Sequence, residues 1–165
     1  MAEEPKKIRP KGLADYLEVM TRAVFQSGIS WRVIEAKWDG FREAFGGFDP
    51  ESVASLDPPD VARLAKDARI VRNRRKIEAT VHNAQAMVDL DRAHGGFRAY
   101  LRSHDGFEET VADLRKRFKF LGDLGAYYFL YVVGEKVPAH EDWMAAHGAS
   151  LRGSPPGLAI SPGPA

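Results

Sequence analysis

The run Phe25-Gln26-Ser27-Gly28-Ile29-Ser30-Trp31 gathers two aromatic rings, an amide and two hydroxyls around one glycine. Aromatic faces can sandwich a flat heterocycle while an amide and a hydroxyl read its edge, which is the chemistry of a pocket for a base drawn out of a nucleic acid. On this reading Phe25, Gln26, Ser30 and Trp31 line the pocket. The competing reading makes Phe25 and Trp31 ordinary core aromatics at a corner. In both, Gly28 turns the chain after one helix and Ser30 caps the next.

A second constellation is Phe120-Leu121-Gly122-Asp123-Leu124-Gly125-Ala126, which follows the basic run Arg115-Lys116-Arg117-Phe118-Lys119 and opens an apolar stretch over 126–133. The spacing predicts a helix–hairpin–helix turn in which Gly122 and Gly125 supply positive φ. Such a turn lets a phosphate approach backbone N–H groups at the start of the second helix. Lys119, Gly122, Leu124 and Gly125 are its candidate contacts to a DNA backbone. A third feature is RLAKDARIVRNRRK over 63–76, with Arg63, Lys66, Arg69, Arg72, Arg74, Arg75 and Lys76 against the single acid Asp67. Arg72, Arg74 and Arg75 are candidate phosphate contacts of the sequence-independent kind. A solvated helix face is the plainer alternative.

The whole chain offsets these cations: its formal net charge is +1 and its pI about 8.0. With no cysteine, disulfides, thiolate zinc sites, iron–sulfur clusters and cysteine nucleophiles are excluded. His140 and His147 share a helix face two turns apart, but a lone histidine pair does not hold zinc. No metal and no cofactor are expected. The N-terminal residues lack the apolar run of a signal peptide, and the stretch over 126–133 is far short of the ~20 residues that cross a membrane. A cytoplasmic monomer is the simplest expectation.

The elements that must position these groups are helical. Leu13, Leu17, Met20 and Val24 keep a helical period, as do Ile34, Trp38, Phe41 and Phe45, then Ile77, Val81, Ala84 and Val88, then Phe107, Val111, Leu114 and Phe118. Asp49-Pro50 and Asp57-Pro58-Pro59 each read as an aspartate N-cap with proline in the first turn. No alternating strand pattern occurs. The 165 residues are thus expected to form an all-α domain over 12–150, with a loose start over 1–11 and a Pro/Gly-rich disordered tail over 151–165.

Taken in order, Gln26-Ser27-Gly28-Ile29-Ser30-Trp31, Phe48-Asp49-Pro50, the run from Asp67 through Arg72-Asn73-Arg74-Arg75-Lys76-Ile77, Asn83-Ala84, and Lys116-Arg117-Phe118-Lys119-Phe120-Leu121-Gly122 resemble the DNA-3-methyladenine glycosylase I family. The resemblance covers about residues 13–140. It implies an all-α fold of the helix–hairpin–helix DNA glycosylase superfamily and excision of an alkylated purine from double-stranded, damaged DNA. The chain departs from the family in three ways. The family's glutamate, three residues ahead of the glutamine, is here Ala23; the pocket tyrosines of the family's N-terminal stretch have no counterpart in this shorter start; and the zinc-binding cysteines are missing. Because the superfamily carries an aspartate just beyond the hairpin's second helix, the resemblance nominates Glu141 and Asp142 as catalytic acids, with His140 as an outside choice. Acids in a first helical turn are favoured by the macrodipole in any case. Loss of the acid at Ala23 keeps a second class open, a non-catalytic DNA-binding module on the same fold, and a helical protein with an unrelated partner is a third.

Overall fold

The structure is a computed structural model and describes residues 6–146. All regular structure among the described residues is helical. In chain order it comprises α1 (Leu13–Gln26), α2 (Trp31–Ala36), α3 (Trp38–Ala44), a 3-10 turn (Gly46–Phe48), α4 (Pro50–Ala54), α5 (Pro58–Leu64), α6 (Arg74–His94), α7 (Phe97–Leu101), α8 (Phe107–Arg117), α9 (Asp123–Val132) and α10 (His140–Ala146). The expected tail over 151–165 and His147 lie outside the described residues. Residues 6–12 form no helix, yet the Ile8 N–H donates to the Val132 carbonyl at 2.7 Å, and the Lys7 ammonium sits 4.7 Å from the centre of the Tyr131 ring.

The organising element is α6, which at 21 residues is about 30 Å long. Asn73 starts it by accepting the Lys76 N–H, and Gly95 ends it in the left-handed conformation at φ 71°. Ile77, Ala84 and Met87 are fully buried along its inner face. It packs on α1, α4, α5 and α7, while α9 closes the other side of α1. The stretch over 126–133 became α9 and is buried all round, which is why it reads as uniformly apolar. No helix among the described residues is long and apolar enough to cross a membrane.

The aspartate caps form as expected. Asp49 accepts the Ser52 N–H, and Asp57 and Asp60 make a reciprocal capping box. The apolar period running from Ile34 to Phe45 divides, however, because Lys37 leaves the helical region (φ −102°, ψ 2°) and separates α2 from α3. The split lets Trp38 stack on Phe41 at 4.9 Å and on Phe48 at 5.5 Å. The short helix α7 was not anticipated. Gly40, inside α3, admits the loop between α5 and α6: a methyl group there would collide with the carbonyl oxygen of Arg69. The Lys37 ammonium secures the same loop by donating to the Ala68 carbonyl at 3.1 Å.

Between α7 and α8 one carboxylate gathers three donors. Asp113 Oδ2 accepts from the Tyr100 hydroxyl at 2.6 Å, from Arg117 Nε at 2.9 Å and, in the matching tautomer, from His104 Nε2 at 3.0 Å. Burial alone would raise the Asp113 carboxyl, but these hydrogen bonds and the Arg117 charge hold it down at about 2. A depressed carboxylate stabilises the fold fully above its unfolded value near 3.8 and loses that contribution as pH falls through its folded value. Asp113→Asn is therefore expected to lower the urea midpoint at neutral pH and to flatten the loss of stability between about pH 4 and pH 2. Urea unfolding at a series of pH values checks this; parallel acid profiles for the two proteins would overturn it.

Candidate functional site

The Gly28 turn is built from both sides. Gly28 takes φ 73°, where a side chain would be strained, and leaves open space around it. Ser30 accepts the Arg32 N–H at 3.3 Å and so starts α2 as expected. From α6, Lys76 reaches into the turn. Its side chain is only 4% exposed, and its ammonium donates to the Phe25 carbonyl at 3.1 Å and to the Ser27 carbonyl. The last carbonyls of a helix are the negative end of its dipole, so a buried cation is well placed there. Burial pushes this ammonium down to about 8. Lys76 is therefore a clamp on the turn, and the basic run presents one cation fewer at the surface.

The four turn residues do not share one environment. Phe25 is fully buried and lies edge-on to Phe41, with ring centres 4.7 Å apart. It continues the inner face of α1 beyond Leu17 and Thr21, so its ring belongs to the core and offers no free face in this state. Gln26 is 5% exposed, and its Oε1 is buried with no hydrogen-bond partner. Trp31 is half-buried, and its indole Nε1 is likewise buried and unpartnered. One face of the Trp31 ring carries the Arg32 guanidinium at 5.1 Å. The turn thus holds an idle acceptor and an idle donor beside an aromatic ring that already binds a cation. Buried polar atoms without partners are costly, and at a corner they mark a place for a ligand's own polar groups.

Ala23 faces the hairpin. It is 6% exposed, and a methyl group on Gly125 would lie 3.8 Å from its Cβ. One residue earlier, Arg22 enters a charged network that the sequence reading missed. Its guanidinium pairs with Glu35 and lies 4.5 Å from the centre of the Trp38 ring, while Glu18 accepts from Trp38 Nε1 at 2.8 Å and Arg42 Nε at 2.7 Å. Burial pushes the Arg22 guanidinium down, against the opposing pull of Tyr128 and Glu18. The available signal was spacing: Glu18, Arg22 and Gln26 recur every fourth residue on α1, and Glu35 follows Trp31 by four on α2.

The hairpin forms between α8 and α9, but its conformation differs from the expected one. Gly122 is extended (φ −88°, ψ −167°) and Gly125 lies in the first turn of α9. The positive φ belongs to Phe120. Gly125 is instead needed for closeness, since a methyl group there would lie 3.1 Å from Leu121 Cδ1. Gly122 opens α9 with no side-chain cap and open space around it, leaving backbone N–H groups of the first turn turned outward. Leu124 is half-buried beside them. Asn83 on α6 holds the hairpin as Lys76 holds the turn. Its Oδ1 accepts the Lys119 N–H at 2.8 Å, and its Nδ2 donates to the Lys119 carbonyl at 3.1 Å.

The cations sort themselves by partner. Arg63 pairs with Asp60, Arg69 with Asp67, Arg74 with Glu78, Arg115 with Asp123 and Arg117 with Asp113. Among the described residues, Arg72, Arg75, Lys116 and Lys119 are exposed and form no ion pair. Arg75 and Lys119 meet at the hairpin, where the Arg75 guanidinium lies 5.9 Å from the centre of the Phe120 ring.

Glu141 and Asp142 are exposed in the first turn of α10. That helix rests on α9 through Trp143, stacked on Tyr127 at 4.4 Å. Tyr127 lies about 200° around α9 from Gly125, the residue that meets Ala23. No hydrogen bond or ion pair joins either acid to the Gly28 turn among the described residues. His140 is buried, with Nε2 unpartnered, against the Tyr127 and Tyr131 rings. Among the described residues no three His, Cys, Asp or Glu side chains converge to hold a metal. A cleft of about 520 Å³ lies between the loop after α7 and the segment 135–138, and a smaller one of about 190 Å³ between α8, α9 and Trp143. Neither borders the Gly28 turn.

Comparison with known proteins bears on the same residues. The family model described as methyladenine glycosylase matches residues 11–119. DNA-3-methyladenine glycosylase 1 of Escherichia coli (strain K12) is 31% identical over 130 residues, spanning 66% of this chain and 70% of that protein. Among solved structures, 3-methyladenine DNA glycosylase I of Staphylococcus aureus superposes with a TM-score of 0.67 at 27% identity, over 78% of this chain and 80% of that one. A Y16F variant of 3-methyladenine DNA glycosylase I, solved in complex with 3-methyladenine, gives 0.66 at 27% identity, over 81% of each chain.

If Lys76 and Asn83 hold the turn and the hairpin, removing either strands buried backbone groups. Lys76→Met is expected to cost about 2–4 kcal/mol and Asn83→Leu about 1–3 kcal/mol in urea unfolding. Losses below about 0.5 kcal/mol in both would show that the clamps are incidental.

Proposed function

This chain belongs to the methyladenine glycosylase family, and from that premise we infer that it is a DNA N-glycosylase that removes 3-methyladenine from damaged duplex DNA. The observation that carries the reading at the level of residues is the pair of idle polar atoms, Gln26 Oε1 and Trp31 Nε1, at a turn held beside the hairpin. A module that only gripped duplex phosphates would have no use for them.

Each part of the site then has a task. The outward N–H groups at Gly122 and the side chains of Lys119, Arg72 and Arg75 hold the phosphate backbone whatever its sequence. The target nucleotide leaves the stack and its base meets the Gly28 turn. 3-Methyladenine is cationic while attached to the sugar, so it is attracted to the face of Trp31, which already accepts the Arg32 guanidinium. Gln26 Oε1 accepts from the exocyclic amine. The bond from C1′ to N9 breaks, its electron pair neutralises the departing base, and water adds at C1′ with loss of its proton to solvent. Because the leaving group departs neutral, no general acid has to protonate it.

Ala23 favours a second reading, in which the fold and its DNA-binding surface persist without catalysis. A carboxylate at this place would attract the cationic base and the positive transition state, and this chain has only a methyl group there.

Release of free base from methylated DNA, followed by chromatography, separates the two. The wild type is expected to release 3-methyladenine, and Trp31→Ala to slow release roughly ten- to a hundredfold while duplex binding persists. Duplex binding with no release by the wild type would favour the binding module.

Position 23 supplies a further test. Ala23→Glu is expected to raise the release rate, since a carboxylate there would attract the cationic base and the positive transition state. It should also lower stability by about 1–3 kcal/mol in the absence of base, because the carboxylate is buried unpaired. A variant that is less stable and no faster would remove position 23 from the account.

A further inference from the structure

The two idle atoms of the Gly28 turn each have a charged neighbour. On α1, Arg22 stands one turn before Gln26, and on α2, Glu35 stands one turn after Trp31. Residues four apart share a helix face. Viewed down α1, Gln26 lies between Ala23 and Arg22, about 60° from the first and about 40° from the second. The Arg22 guanidinium and the Glu35 carboxylate pair across the corner between α1 and α2. This pair therefore borders the place where Gln26 Oε1 and Trp31 Nε1 are buried without partners.

The two partners are not equally held. The Arg22 side chain is 21% exposed and that of Glu35 is 50% exposed. Arg22 has attractions besides Glu35: the Trp38 ring centre at 4.5 Å and the charge of Glu18. Glu35 forms no other hydrogen bond or ion pair among the described residues. Its carboxylate is thus free to turn, while the guanidinium it leaves stays over Trp38. A half-exposed ion pair costs little to open.

We propose that Glu35 is the specificity-determining carboxylate of the base pocket and that Arg22 holds it until a cationic base arrives. An alkylated, cationic base at the Gly28 turn takes Glu35 from Arg22, so one ion pair opens as another forms. A neutral adenine of nearly the same shape offers the carboxylate no charge, and Glu35 stays with Arg22. Discrimination then comes from pairing more than from fit. The acid that α1 lacks at Ala23 is supplied from α2. This inference rests on the base-binding half of the glycosylase reading.

The test uses two free bases as probes: 3,9-dimethyladeninium, a permanent cation with a methyl group in place of the sugar, and 9-methyladenine, its neutral counterpart. The protein's three tryptophans give indole N–H resonances that report binding, and Trp31→Phe identifies the one at the site. Wild type is expected to bind the cation roughly tenfold more tightly than the neutral base. Glu35→Gln keeps the shape of the side chain, should melt close to wild type, and should bring the two affinities within roughly twofold. Arg22→Met should strengthen cation binding roughly threefold and leave the neutral probe unchanged. If the pair only joined α1 to α2, both variants would weaken both probes alike, and that result would overturn the proposal. Equal affinity of the wild type for the two probes, or binding of neither, would overturn it as well. Release of base from methylated DNA is measured in parallel. Release by a wild type that has no preference for the cation would sink the exchange and leave the glycosylase reading in place. A preference abolished in Glu35→Gln, with no base released by any protein, would uphold the exchange and sink the catalytic reading.

Discussion

A buried ammonium governs the arrangement of this protein. Lys76 gives up water to lie against the last carbonyls of α1, and in doing so fixes the end of one helix to the start of another far along the chain. Seven residues further on, Asn83 does the same for the hairpin with a neutral amide. Both side chains stand on the inner part of α6, so one rigid helix sets the separation of the turn and the hairpin. Apolar packing could bring these loops together, but it is non-directional. Hydrogen bonds to named carbonyls and N–H groups specify which backbone atoms face outward.

Around that frame the charges are divided between structure and surface. Arg63, Arg69, Arg74, Arg115 and Arg117 each have an acidic neighbour, so their contribution to the outer field is small. Among the described residues Arg72, Arg75, Lys116 and Lys119 have none, and Arg75 and Lys119 stand at the hairpin. This explains how a chain of net charge +1 can still offer a cationic face: the offsetting acids are spent locally on other arginines. The network of Glu18, Arg22, Glu35, Trp38 and Arg42 ties α1 to α2 and α3 in the same way, on the flank of α1 next to Ala23.

Much of the fold was legible because it is written in local patterns. Helical period, aspartate caps before proline, and glycine pairs after long helices locate most elements, since each depends on residues within a turn or two. The turn at Gly28 was legible for the same reason. What could not be read depended on distant partners. Nothing local to RNRRK distinguishes Lys76 from its neighbours, and only the packing of α6 against α1 turns it inward. Phe25 looked like part of a pocket because its sequence neighbours are polar, yet its direction is set by Leu17 and Thr21 one and two turns before. The expected role of glycine in the hairpin went to Phe120 because Asn83, a residue of another helix, constrains Lys119. Glu141 and Asp142 were drawn from an analogy of order along the chain, and the face of α9 on which α10 settles is a tertiary fact.

Gly40 carries a consequence of a different kind. The loop bearing Asp67, Arg69 and Arg72 runs so close over α3 that only a hydrogen atom fits beneath the Arg69 carbonyl. The loop is thereby seated at a fixed depth, with Lys37 fastening it from the side. Any bulkier residue at position 40 would lift this segment like a shim, and the cations it carries would ride outward together. The reach of the cationic face beyond the protein surface is thus set by an uncharged position inside a neighbouring helix.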